Sequence, residues 1–254
     1  NTGSAFHAAY NDISINNSKI HQCLGLAGQN IQVNNSVVNS SALGAGHDIN
    51  ATNGSHINNS VAYAKNNVTL SNSTADKSLL IADVSVNANN GSNINNSIAY
   101  GQYVTLDGST SDKSVLIAKE NVNVNTGSHI NNSIAYGKNV NINASTSDKS
   151  ILAASNNVNI LNGSNINSSI AYANNNVTLD GSTSDKSLLI AGESVNANNG
   201  SHVNNSIAYG KDVNFNASTS DKSILIASHD INATNGSHIN NSVAYAKNNV
   251  TLSN

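Results

Sequence analysis

Eight histidines, fourteen acids, eleven lysines and one cysteine are the groups in this 254-residue chain that could move protons, hold ions or attack a substrate. Their spacing decides what they can do. His56, His129, His202 and His238 occupy one place in a recurring unit, with Asn93 and Asn165 at the alternate copies. In a stack of such units, same-type copies lie about 10 Å apart, too far for two imidazoles to share an ion. Glu120 and Glu193 are isolated, and the pairs Asp76-Lys77, Asp112-Lys113, Asp148-Lys149, Asp185-Lys186 and Asp221-Lys222 read as a solvated charge ladder. The lone Cys23 allows neither an internal disulfide framework nor a cysteine zinc site. No G-x-S-x-G, H-E-x-x-H, P-loop or nonapeptide calcium repeat occurs. Catalysis needs a unique site, whereas the same residues return every 36 positions. We therefore expect no enzyme and no catalytic, cofactor-binding or metal site.

Composition narrows the class further. Arg, Pro, Met and Trp are absent, about a fifth of the residues are Asn, and 10% are charged, against a usual figure of about 25%. A net charge of -3 with scattered lysines leaves no footprint for nucleic acid. No apolar run is long enough to span a membrane as a helix. Both ends ("NTGS" and "VTLSN") fall inside repeat-like text, and "HDINATNGSHINNSVAYAKNNVTLSN" occurs identically at His47–Asn72 and His229–Asn254. These features lead us to expect a segment of a longer repetitive chain.

The repeat itself is regular. A pair of inward-type residues two apart begins at Ile13, Ile31, Ile49, Val68, Val86, Val104 and Val122, and continues to Val250 with every spacing 18 or 19. Alternation over three to five residues is strand-like, and the Gly, Asn and Ser punctuation leaves no room for a helix. A unit with two such strands cannot bury a core alone, but stacked copies can. The expected fold is all-β: a parallel β-solenoid of about fourteen coils, with two alternating coil types ("NGSHINNSVAYA" and "NSTADKSLLIA") making a 36-residue unit. Residues 1–48 are divergent leading coils and 49–254 the regular repeats. A serine precedes the "VAYA" or "LLIA" strand in each coil, and its 17-to-19 spacing implies that one turn differs in length between coil types.

Stacking converts repeat positions into columns. Tyr63, Tyr100, Tyr136, Tyr172, Tyr209 and Tyr245 form a tyrosine ladder. We read it first as core filling with the hydroxyl at the edge, and second as a binding ladder for carbohydrate or a partner. Sequons place candidate glycosylation at Asn53, Asn58, Asn67, Asn90, Asn95, Asn143 and Asn176, although Asn columns also serve turns and amide ladders. Aliphatic triplets such as Leu79-Leu80-Ile81 must send a side chain out of the core unless a corner tucks all three inside. Leu80, Leu116, Leu152, Leu189 and Leu225 are the candidate lateral interface, alternating with alanines such as Ala62 and Ala99.

Four stretches carry a family resemblance. "GKNVNINAS" (137–145), "GKDVNFNAS" (210–218), "GHDINA" (46–51) and "NNVTLDGST" (175–183) resemble the haemagglutinin-type repeats of filamentous haemagglutinin and related large adhesins of bacteria. The resemblance covers most of the chain through a short motif. It implies a right-handed parallel β-helix exported across the envelope as a stalk or fibre.

The expected function is a structural extracellular fibre: the shaft of a bacterial surface adhesin or matrix filament, self-associating and contacting a host or neighbouring cell surface or carbohydrate. A functional-amyloid-like fibril of a biofilm matrix is the alternative. Ice binding ranks below both, because the column of Thr69, Thr105, Thr178 and Thr251 mixes in Asn123, Asn141 and Asn214.

Overall fold

The computed structural model describes residues 4–253. Residues 1–3 of the leading segment and Asn254, the end of the second identical stretch, lie outside the described residues. The fold is a parallel β-solenoid of about fourteen turns, all-β and without helix among the described residues. The described chain divides into two compact units, residues 4–122 and 123–253, built on the same plan.

A coil contains three strands where the spacing suggests two. In the first unit one coil runs Asn67–Ser71, Thr74–Asp76 and Leu79–Ala82; in the second, another runs Asn176–Asp180, Thr183–Asp185 and Leu188–Ala191. The middle strand has only three residues and one inward side chain, so it shows no alternation to read. Each strand pairs in parallel with its counterpart one coil on, for example Val68 with Val86, Thr74 with Asn93, and Leu80 with Ala99. The second unit repeats this, with Val177 on Val195, Ser184 on Val203, and Leu189 on Ala208.

Turn chemistry sets the period. The corner after the first strand takes one left-handed residue in one coil type (Asn72, φ 48°) and two in the other (Asn90, φ 55°, then Gly91, φ 77°). Asn tolerates that region and Gly enters it without steric cost. The corner after the middle strand always uses a single left-handed residue, Asn59 or Lys77 for instance. The third corner adjusts the count to 18 or 19. Where it is short, Gly101 and Gly210 stand, and a Cβ on either would lie 2.9 Å from the carbonyl oxygen of Tyr103 or Asp212. Where it is one residue longer, Ala64 and Ala173 take the same place.

Left-handed corners interrupt the backbone ladder, and buried serines restore it. In the column after the middle strand, the Ser60 amide donates to Ser78 Oγ (3.2 Å) and the Ser78 amide to Ser97 Oγ (2.9 Å). Ser78 Oγ in turn donates toward the carbonyls of Asp76 and Ile57, both at 2.8 Å. A second column does the same after the first strand, where the Ser55 amide reaches Ser73 Oγ and the Ser73 amide reaches Ser92 Oγ, each at 3.2 Å. In the second unit the chain Ser133, Ser150, Ser169, Ser187 repeats the link at 3.1–3.2 Å. These hydroxyls sit at no more than 5% exposure, so they complete buried amides that water cannot reach.

The core explains the two coil types. One type turns Leu70, Ala75 and Leu80 inward; the next turns Ala88, Ile94 and Ala99 inward, all six fully buried. On the middle and third strands large residues on one coil stand beside small ones on the next, as interdigitated packing favours, whereas the first strand also stacks large on large, as at Ile142, Ile160 and Leu179. In the second unit the middle-strand position alternates between Ile166 and serines such as Ser147 and Ser184. Ser147 Oγ is buried and has no hydrogen-bond partner.

Two serines three residues apart should therefore behave oppositely. Ser150→Ala removes an acceptor for the Ser133 amide and should cost about 1–3 kcal/mol in denaturant unfolding. Ser147→Ala removes an unpartnered hydroxyl and should be neutral or stabilising by up to about 1 kcal/mol. Equal losses would contradict the ladder.

A candidate interaction face

The third strand of each coil projects its first and third residues outward and its second inward. This reverses the orientation expected for the aliphatic triplets. Leu80, Leu116, Leu152, Leu189 and Leu225 are 0% exposed. They point into the core because strand alternation places the middle member of each triplet on the same side as the buried alanine that follows it, such as Ala82 after Leu80. Their alternation with Ala62 and Ala99 is a core pattern and not a surface one.

The residues that leave the core are the flanking ones. In the first unit they are Val61, Leu79 and Ile98 in one column and Tyr63, Ile81 and Tyr100 in the other, paired rung on rung. In the second unit Ile134, Ile151, Ile170 and Leu188 form the first column, and Tyr136, Ala153, Tyr172 and Ile190 the second. The tyrosines are thus not core filling. Tyr63, Tyr136, Tyr172 and Tyr209 are 39–48% exposed, Tyr100 is half-buried and Tyr245 is more open still. The reason is parity again: the fully buried alanine of each "VAYA" or "IAYG" strand occupies the inward place and leaves Tyr outside.

Among the described residues, each unit therefore presents a two-column strip of exposed and half-buried aliphatic and aromatic side chains with no charged residue in either column. In the second unit seven rungs from Ile134 to Val243, at about 4.8 Å each, make a strip on the order of 30 Å long. Contiguous exposed apolar surface of this kind marks a contact site more often than a solvated wall. Polar groups appear only at its margin. Tyr63 Oη donates to Asp83 Oδ2 (3.2 Å) and Tyr172 Oη to Asn174 Oδ1 (3.1 Å). Lys119 Nζ lies 5.8 Å from the centre of the Tyr100 ring. Partial burial, and then the Asp83 carboxylate, push the Tyr63 phenol above its ordinary pKa.

The other faces are polar ladders. On the first strand Asn141 Nδ2 donates to Asn123 Oδ1 (2.9 Å) and Asn159 Nδ2 to Asn141 Oδ1 (2.8 Å). On the middle strand His129 bonds Thr146, and each Asp–Lys pair is solvent-facing, as at Asp148 and Lys149 (3.5 Å). The Asn205 amide, followed by Lys186, holds the Asp185 carboxyl below its ordinary range. Among the sequon residues, Asn53 and Asn90 occupy left-handed corners. Asn53, Asn67, Asn90 and Asn176 spend their Nδ2 donors on Asn34, Asp48, Ser71 and Asn157. A glycan on those four would replace a rung of the ladder. Asn143 accepts from Asn162, while Asn58 and Asn95 accept through their backbone carbonyls at the serine corner.

Adjacent positions on one strand offer a direct check of orientation. Ile151→Asp should leave far-ultraviolet circular dichroism and the unfolding midpoint close to wild type, whereas Leu152→Asp should abolish the cooperative transition by burying an unpaired carboxylate. The reverse order would place the strip inside. No protein-family model, curated protein or solved structure matches the chain.

Proposed function

We propose that the chain is a structural repeat fibre, the shaft of an extracellular bacterial adhesin or matrix filament, whose copies associate side by side through the third-strand strip. The observation that carries this reading is the uninterrupted apolar strip itself, free of charge over successive coils in each unit. A second copy of the same chain is the occupant that fits best. The strip repeats every two coils, tyrosine against Ile or Ala, so ridges about 10 Å apart on one copy meet grooves of the same period on another. A soluble partner with a charged surface would bury unpaired charge against it. The resemblance to haemagglutinin-type repeats supports export, and the site-free repetition supports a product whose length and surface matter more than any single residue.

Replacing Ile134, Ile170 and Ile207 together by Asp tests this. The variant should keep its circular dichroism, lose bundling in negative-stain electron microscopy, and sediment as a single species. Bundles unchanged from wild type would overturn lateral association through this face. End-to-end filaments that persist while bundles vanish would separate stacking from lateral contact.

A further inference from the structure

One corner of the second unit brings together three side chains, two of them carboxylates of the polar ladder and the third a histidine beside it. His229 Nδ1 lies 3.1 Å from Asp212 Oδ1 and 2.9 Å from Asp230 Oδ2. Asp212 and Asp230 occupy the same corner position on successive coils, so two carboxylates are stacked one rung apart. Elsewhere in this column an acid is followed by an amide: Asn30 follows Asp12, Asn67 follows Asp48 and Asn249 follows Asp230, each donating Nδ2 to the carboxylate before it. At 212 and 230 the side-chain amide donor is missing and two carboxylates adjoin, a destabilising arrangement that a bound cation relieves.

We propose that Asp212, His229 and Asp230 form a binding site for a divalent transition-metal ion of the zinc type. Three donor atoms within 4.8 Å of one another, one imidazole nitrogen and two carboxylate oxygens, are ligands that such ions accept. The two nitrogen–oxygen separations of 2.9 and 3.1 Å are hydrogen-bond lengths; a tetrahedral ion with bonds of about 2.1 Å has edges of about 3.4 Å, so a shift of a few tenths of an ångström in these exposed side chains admits it. The ion binds the Nδ1 lone pair, and any proton held there passes to solvent. The backbone already orients the ligands. The Asp230 amide donates to Asp212 Oδ1 (3.1 Å), and Asn249 holds the other oxygen of Asp230 through its amide and Nδ2 at 3.0 and 3.1 Å. The neighbouring Lys211 is engaged by Glu193 at 3.3 Å and so does not occupy the pair. The histidine ladder, whose members stand two or four coils apart, contains no such cluster among the described residues, and the site departs from the expectation that this chain holds no metal.

The chain supplies its own control. The identical stretch that begins at His47 repeats His229 and Asp230 as His47 and Asp48, and the preceding coil has Asn30 where the second copy has Asp212. The Asp48 amide donates to Asn30 Oδ1 (3.2 Å) just as the Asp230 amide donates to Asp212. The two corners thus share a backbone arrangement and differ at the ligand positions by one carboxylate, with Gln29 in place of Lys211 and Gly46 in place of Ser228 beside them. Zinc chloride is titrated calorimetrically into the whole chain, its Asp212→Asn variant and its Asn30→Asp variant, with circular dichroism confirming the fold. The wild type should bind one ion at this site. Asp212→Asn should weaken it by about tenfold or more, and Asn30→Asp should add a second site of comparable affinity. Absence of binding to the wild type, an isotherm unchanged in Asp212→Asn, or no gain in Asn30→Asp would each overturn the proposal.

Discussion

The structure depends on a hydrogen bond between a backbone amide on one coil and a serine hydroxyl on the next. A solenoid whose corners turn through left-handed residues loses regular backbone pairing at those corners, and the amides exposed there point into the packed interior. A buried amide without a partner is costly. Serine is small enough to sit at the corner, accepts the amide from one side, and donates to the carbonyls of its own and the neighbouring turn. Two such columns run through each unit, and they hold both corners at a fixed distance from the core. That restraint lets the outer residues drift in sequence, among Asn, Asp, Lys, Thr and His, without loss of register.

The coil pair is a packing unit. A single coil type with Leu at every inward third-strand position would overfill the interior, and one with Ala throughout would leave voids. Alternating Leu80 with Ala99 and Ala75 with Ile94 settles both. Outside, the same alternation gives the strip its two-coil period, because a coil that turns Leu inward carries Ile, Ala or Gly in the outer column, and one that turns Ala inward carries Tyr. Core packing and surface relief are therefore the same pattern seen from opposite sides, so the exposed face inherits the rigidity of the core.

Much of the fold was legible in the sequence because period two and period eighteen coincide at every coil. The inward pair at Val68 and Leu70, the asparagine corners and the difference in turn length could all be read from spacing. The middle strand was hidden, since three residues with one inward side chain leave no alternation. The face was misread for a related reason: in Leu79-Leu80-Ile81 all three residues are apolar, so composition does not reveal which parity is buried. The signal that does is the companion coil, where the small Ala62 aligned with Leu80 must share its inward side. The tyrosine column follows from the same parity. The Asp212–His229–Asp230 cluster draws on two coils and two adjacent repeat positions, which columns read one at a time do not bring together.

Tyrosine reactivity across assembly bears most directly on the claim that this strip is exposed in the single chain and covered between copies. Tetranitromethane nitration, mapped by peptide mass spectrometry, is compared for dispersed and bundled protein. Tyr10, 93% exposed and outside the strip, serves as the internal reference. Tyr136, Tyr172 and Tyr209 should react in the dispersed chain and be protected in bundles, while Tyr10 reacts in both. Equal reactivity of the three strip tyrosines in the two states would contradict that claim.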